Sequence, residues 1–339
     1  MKIAFTSCMS ATAYPKQPVW NQILAHAPNF LILLGDSVYN DCPPMPSQNG
    51  GLHPSNDNYS DDDFCSHLHG LYQKQLAVPE FKKIIKQIPT YAIWDDHDFL
   101  WNDAGANLAK SPLHRGKAFY SSQLLKCWQS ALISGGANFP KAHNDPNIQG
   151  KYANLVNEDY NDFMPGYRKV DISTGIKLHL TDVRSWRKDG NIIGKGQRDQ
   201  IEAAIRADKT AIHLIASGST FGGRGSQGWA GYPLDYEWLL GLSSQFKILM
   251  LSGDIHQNRF SEPIGVDGGM KLFEATSSGA AIDFIHVHED GQSSSKDRFN
   301  YSEHFGILEF KPNGNIDVIF YDHGASPTKT ISSTFKSYK

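Results

Sequence analysis

Four apolar runs in this chain each end in side chains that can bind a cation. Ile3–Ser7 runs into Cys8, and Phe30–Leu34 runs into "GDSVYND", which carries Asp36 and Tyr39. Tyr91–Trp94 runs into Asp95, Asp96, His97 and Asp98, and Lys247–Leu251 runs into "SGDIHQNRF", which carries Asp254 and His256. Open α/β sheets bind ligands beyond the carboxyl ends of their strands, so four such ends point to one shared site. Crowded carboxylates repel and raise each other's pKa, and a bound di- or trivalent cation removes that cost. Thiolate with phenolate suits ferric iron better than magnesium, whereas spare carboxylates and amides suit a second, harder ion such as calcium. A carboxylate such as Asp36 can bridge two ions. Each piece alone has an ordinary reading: Gly-Asp as a turn or cap, Cys8 as a small buried residue, "DDHD" as a solvated loop. Their joint placement, each directly after a strong strand, favours a metal centre.

The elements that must position these groups are visible as a cadence. Further apolar runs occur at Ile176–Thr181, Ala211–Ser217, Lys271–Ala275, Phe305–Phe310 and Ile316–Tyr321. Many are almost uniformly apolar, as strands covered on both faces are. Helical spacing runs over Val19–Ala27, Phe64–Leu76, Glu80–Ile88, Gly116–Leu132, Lys195–Ala207 and Asp235–Leu242. The last two runs flank "PNGN" and predict a hairpin. The alternation predicts an α/β chain with helices packed outside sheets. No linker divides it, which predicts a single domain over 1–339 with loop insertions near 41–59, 141–161 and 219–231.

With 32 basic and 35 acidic residues among 339, the formal net charge is −3. That balance carries no footprint for general nucleic-acid binding. No run approaches the length of a membrane span, and "MKIAFTSCMS" turns polar too early for a signal segment. These features predict a cytoplasmic protein without a membrane partner. Cys8, Cys42, Cys65 and Cys127 form no CxxC pair and are expected as free thiols, buried residues or a ligand.

At this point the chain resembles a known family, the alkaline phosphatase D (PhoD-like) branch of the metallophosphoesterases. "AFTSC" resembles that family's first strand with its ligand cysteine, and "GDSVY" its Gly-Asp-x-x-Tyr. "WDDHDFLWN", "HRGKAFYSSQLLKCW", "TDVRSWR", "GKGQRDQIEAAI" and "LSGDIHQ" resemble further segments of the family in the same order. The likeness runs from the first strand to about Tyr321. "SGSTFGGRGSQG" departs from the family pattern, and the family's N-terminal β-sandwich and signal have no counterpart. The resemblance implies a four-layer αββα sandwich of two mixed sheets flanked by helices, with metals at the carboxyl edge. It implies a di- or trinuclear centre, Fe(III) plus Ca(II) with Mn or Zn as substitutes, held by Cys8, Asp36, Tyr39, Asp96, Asp254 and His256. Asn102 is a further oxygen ligand on this reading.

The implied activity is hydrolysis of a small phosphoester, mono- or diester, by a metal-activated hydroxide. His97 is expected as general acid, with Asp98 or Asp95 orienting its ring. Arg184 and Arg187 follow another strand, and a guanidinium fork suits a phosphate. A surface ion pair with Asp182 or Asp189 is the competing reading. Arg259 is a weaker substrate-binding candidate. Asn300, His286, His288 and His304 are rim residues or, more simply, solvated loop side chains. "GRGSQG" fits a dinucleotide fingerprint, but "WAGYPLD" promises no helix behind it, so a substrate loop beside Arg224 and Trp229 is expected instead. Asp61 is expected to cap the helix that follows it. A retired phosphoester-binding protein, or a hydrolase of a non-phosphate anionic ester, are the alternatives; the intact His97 argues against the first. Cys8 with Tyr39 predicts a visible charge-transfer band in iron-loaded protein, and an active, colourless, iron-free enzyme would exclude that assignment.

Overall fold

Strands apolar on both faces need cover on both faces, and the chain provides it with two sheets and two layers of helices. The computed structural model describes residues 1–42, 52–145, 148, 166–222, 227–264, 272–283, 301–322 and 327–333. The first part runs β1 (Lys2–Thr6), α1 (Val19–Ala25), β2 (Phe30–Leu34), α2 (Asp61–Ala77), α3 (Pro79–Gln87), β3 (Thr90–Ile93), α4 (Asp96–Phe99), α5 (Ala106–Ala109) and α6 (Arg115–Ile133). It continues with β4 (Arg168–Ser173), β5 (Ile176–Leu180), α7 (Gly194–Ala207), β6 (Ile212–Ser217), α8 (Pro233–Ser243), β7 (Lys247–Ser252), β8 (Asn258–Ile264) and β9 (Leu272–Ser277). The last strands are β10 (Ile282–Asp283), β11 (Tyr301–Ser302), β12 (Phe305–Phe310), β13 (Ile316–Tyr321) and β14 (Pro327–Ser333).

One six-stranded sheet has the order β14-β13-β12-β1-β2-β3, the other β4-β5-β6-β7-β9-β8, and β10 pairs with β11. β1, β2 and β3 are mutually parallel, as are β5, β6, β7 and β9, while β12–β14, β4 and β8 pair antiparallel. The expected architecture of two mixed sheets flanked by helices is what the structure shows. The period of two in each strand sorts its side chains into layers. Ile3, Phe5, Ile32 and Leu34 face Leu178, Leu214, Leu249 and Leu251 between the sheets. Ala4, Leu31 and Leu33 turn the other way, against Trp20, Phe64, Phe81 and Trp128 of the helices. On the far side, Ile215, Ile248 and Met250 meet Ile201, Ile205 and Leu239 of α7 and α8. Three apolar layers thus separate four structural layers.

Most expected elements lie within a few residues of their observed bounds, and the "PNGN" hairpin joins β12 to β13, with Lys311 N–H donating to Asn315 O at 2.9 Å. Five strands were not expected: the short pair β10 and β11, and β4, β8 and β14 of the two large sheets. The last three each lie at a sheet edge, where one side of the ladder is open and the sequence turns polar. Asp61 is not a cap: Ser60 holds that place, its Oγ accepting from Asp63 N–H at 3.1 Å. A helix does follow "GRGSQG", opening at Pro233. Trp229 is not a substrate contact but a core residue, 1% exposed, with Nε1 on Ser217 Oγ at 3.0 Å. Arg224, His286, His288 and Asn300 lie outside the described residues, as do 43–51 of the first expected loop and most of the second.

A buried polar chain runs through the second sheet. Tyr167 Oη meets His179 Nδ1 at 2.8 Å, His179 Nε2 meets His213 Nδ1 at 2.9 Å, and His213 Nε2 donates to Asp208 O at 3.0 Å. Burial, then the neighbouring His213, pushes His179 down to about 3. The unfolded chain takes up this proton near pH 6.5 and the folded one near 3, so stability is full above about 6.5 and is lost as pH falls between these values. Urea unfolding is expected to show this slope, of the order of a few kcal/mol in total. His179→Gln should flatten it, and an unchanged slope would contradict this account.

Candidate metal centre

The ends of β1, β2, β3 and β7 meet at the seam between the sheets, and backbone hydrogen bonds stitch the seam closed. Gly279 N–H and Ala280 N–H, beyond β9, donate to Ser7 O at 3.0 and 2.9 Å, and Ala281 N–H donates to Cys8 O at 3.1 Å. Met9 N–H donates to Asp36 O at 2.9 Å. Close approach depends on two glycines that flank Asp95. A Cβ on Gly35, whose φ is +96°, would lie 2.6 Å from Asp95 Cβ, and one on Gly218 would lie 2.5 Å from Asp95 Oδ1. Larger residues would force the sheets apart here.

Within the seam, Asp36 is the centre of contacts. Its Oδ2 lies 3.3 Å from both Cys8 Sγ and Tyr39 Oη. Tyr39 Oη is also 3.0 Å from His256 Nε2. Oxygen atoms of Asp36, Asp95, Asp96 and Asp254 all lie within 4.8 Å of one another, and so do ligand atoms of Asp36, Asp96 and His97. Cys8, Asp36, Asp254 and His256 all have positive φ, at 61°, 50°, 76° and 51°. Such geometry costs a non-glycine residue about 1–3 kcal/mol and persists where surrounding structure enforces it, commonly at functional sites. Each sharp turn aims its side chain off the strand end and into the seam.

The electrostatics fit a cation. Burial, then Cys8, raises Asp36 well above the usual carboxylate range. Burial, then Asp95 and Asp96, pushes Asp254 up to about 7, and burial pushes the Cys8 thiol up to about 11. Asp36 Oδ1 and Asp95 Oδ2 are buried with no hydrogen-bond partner. Orphaned buried oxygens are costly, and a bound ion is one of the few things that satisfies them. Mixed carboxylate, imidazole, phenol and thiol donors match a di- or trivalent ion.

Arg184 balances part of this charge. It is 0% exposed, its Nε bonded to Asp95 Oδ1 and its Nη2 3.4 Å from Asp96 Oδ2. Burial opposes its charge, yet Asp95 and Asp96 hold its pKa well above the usual arginine value. Burial also opposes ionisation of Asp96, but Arg184 and His97 hold it below the usual carboxylate range. Arg184 is therefore no surface pair with Asp182 or Asp189: its Nε braces Asp95 from behind, while Nη1 and Nη2 are buried without a hydrogen-bond partner. Arg187 is anchored too, through Nε to Val183 O at 3.1 Å, through Nη2 to Ser219 Oγ, and over the Tyr232 ring at 5.5 Å.

Sequence reasoning missed Asp41. Its Oδ1 lies 2.6 Å from His97 Nδ1, and its Oδ2 accepts from Asn102 N–H at 2.7 Å. Asp41, not Asp98 or Asp95, orients the imidazole. Burial disfavours a charged His97, but Asp41, then Asp96 and Asp36, hold its pKa well above the usual value. Asp98 faces backwards: its Oδ1 accepts from Ser37 N–H and Tyr72 Oη, and its Oδ2 from Asp95 N–H, which closes the first turn of α4. Asn102 is exposed and meets the site through its backbone N–H, so its side chain is not placed as a ligand. Arg259 lies on β8 with Nη2 3.6 Å from Glu274 Oε2, which ties it to the sheet rather than to the cage. His304 is no solvated rim residue: its Nδ1 donates to Ser278 O at 2.9 Å. The one signal for Asp41 was its position five residues after Asp36 in the same "GDSVYND".

No family model and no curated protein matches the sequence. Among solved structures, the fold defines the class of two-sheet αββα sandwiches with a polar seam. One similar structure is titled "Structure of PhoD", with a TM-score of 0.61 at 14% identity, covering 98% of this chain and 68% of that one. This chain has that fold. A phosphoesterase of E. coli, Yfce, aligns at 11% identity over 98% of both chains, but its TM-score of 0.33 is too low to bear on the fold.

The Asp41–His97 contact generates a direct test. Removing a carboxylate from an imidazolium lowers its pKa. Asp41→Asn is expected to lower that of His97, followed by NMR of the labelled ring, and an unmoved titration would refute the pairing.

Proposed function

We propose that the chain is a PhoD-like metallophosphoesterase, a metal-dependent hydrolase of small phosphoesters with its catalytic machinery in the seam between the sheets. The observation that carries this reading is the convergence of Cys8, Asp36, Tyr39, Asp96, Asp254 and His256, four of them on enforced positive-φ turns, beside a His97 held by Asp41. The shared fold with PhoD and the order of motifs along the chain support it. Those six residues would hold the ions, with Fe(III) suited to Cys8 and Tyr39 and Ca(II) to the carboxylates. When bound, the ions supply neutralising charge to phosphoryl oxygens and a more acidic water.

The chain's own residues do the rest. Asp41 occupies His97 Nδ1, which leaves Nε2 as the nitrogen for proton transfer to the leaving oxygen. The ring is further fixed by Tyr39, its centroid 4.3 Å away. The Asp41 carboxylate at Nδ1 favours the charged ring that a proton donor needs. Arg184 keeps the Asp95–Asp96 wall from collapsing outward under its own repulsion. None of the described helices is long and apolar enough to cross a membrane.

The test is hydrolysis of bis(p-nitrophenyl) phosphate and p-nitrophenyl phosphate by protein loaded with Fe, Ca, Mn or Zn. His97→Ala is expected to lower kcat by about 10²–10⁴-fold, the usual worth of a positioned proton donor. Wild-type protein no faster than the variant with every metal would remove the enzyme reading.

A further inference from the structure

One hydroxyl joins a proposed ligand of the first sheet to one of the second. Ser278 lies one residue beyond β9 and is fully buried. Its Oγ donates to Cys8 Sγ at 3.1 Å and accepts from His256 N–H at 2.9 Å. The serine is itself held in place. Its carbonyl accepts from His304 Nδ1 at 2.9 Å, and His304 Nε2 lies 3.4 Å from Asp322 Oδ1. The carbonyl of His304 accepts in turn from Thr6 Oγ1 at 2.7 Å, next to the end of β1. A second hydroxyl, Ser7 Oγ, lies 3.4 Å from Cys8 Sγ but is shared with Ser277 O, also at 3.4 Å.

We propose that Ser278 is a positioning residue of the metal centre: its hydroxyl sets the donor strength of the Cys8 sulfur and keeps His256 in register with it across the seam. The inference rests on the reading of Cys8 as a ligand. A hydroxyl beside a thiolate can act toward it only as a donor, and that hydrogen bond draws electron density from sulfur. Hydrogen bonds to ligating sulfur are a recognised means of tuning a metal. Oγ accepts from His256 N–H through a lone pair, and its one proton serves Cys8, so a single hydroxyl makes both contacts. Ser7 has a competing acceptor and contributes less.

The experiment uses the full chain and Co(II) as a spectroscopic probe. Wild-type protein is expected to show a sulfur-to-cobalt charge-transfer band in the near ultraviolet. In Ser278→Ala the sulfur is more electron-rich, so the band moves to longer wavelength, and Co(II) affinity falls by about 10–100-fold, as for other lost supports of metal ligands. Ser7→Ala moves the band the same way by less. A band unmoved in Ser278→Ala, or moved further by Ser7→Ala, overturns the inference while leaving Cys8 a ligand. Wild-type protein that binds cobalt without any such band overturns the inference together with the ligand role of Cys8, and hydrolysis of the nitrophenyl esters then decides separately whether the enzyme reading stands. Should the alanine variant not fold, Ser278→Gly removes the same hydroxyl with less demand on the pocket and is read in the same way.

Discussion

The repulsion among buried carboxylates at the sheet seam is the constraint around which the molecule is organised. Asp36, Asp41, Asp95, Asp96 and Asp254 converge there, and Arg184 and His97 form ion pairs with Asp95, Asp96 and Asp41. Asp36 and Asp254 are left with raised pKa values, next to a thiol and a phenol that burial also keeps protonated. Buried charge of one sign is tolerated only when something of the other sign shares the space. Acid groups that follow three strands, β2, β3 and β7, from two sheets therefore come together as a candidate receptor for cations.

The rest of the fold can be understood as the means of holding that arrangement. Two sheets are pinned face to face by an apolar layer on one side of each strand and pulled against helices by the other. At the seam the backbone of 279–281 bonds directly to Ser7 and Cys8, and glycines at 35 and 218 let the chains approach Asp95. The four positive-φ residues are the local cost of aiming these side chains into the seam, and a rigid scaffold keeps them from relaxing.

Much of this was legible because it rests on local patterning. Apolar runs such as Phe30–Leu34 and Lys247–Leu251 announce strands covered on both sides, and the acids that follow them announce a site. Strands β4, β8 and β14 escaped because an edge strand needs no second apolar face. Asp41 escaped because an aspartate in a polar segment has no local mark of burial. Arg184 was assigned to substrate on its residue type, yet it ends 0% exposed against Asp95, since β3 and β5 bring the two segments to the same seam. Asp98 looked like a partner of His97 as its sequence neighbour, but consecutive residues at a helix start point in different directions, and Asp98 turns back to cap.

Beyond the four layers, which only the family resemblance implied, the amino-acid sequence by itself determined helices packed outside sheets, the order of most strands and helices, and the kinds of donor at each strand end. These follow from periodicity and residue chemistry, which act over a few neighbouring positions. Tertiary structure alone decided which acid holds His97, that Arg184 lies buried against Asp95, and that Ser278 stands between Cys8 and His256. Such pairings join residues up to 270 positions apart, and no local rule orders them; they exist because the two sheets pack in one register and close the seam in one way.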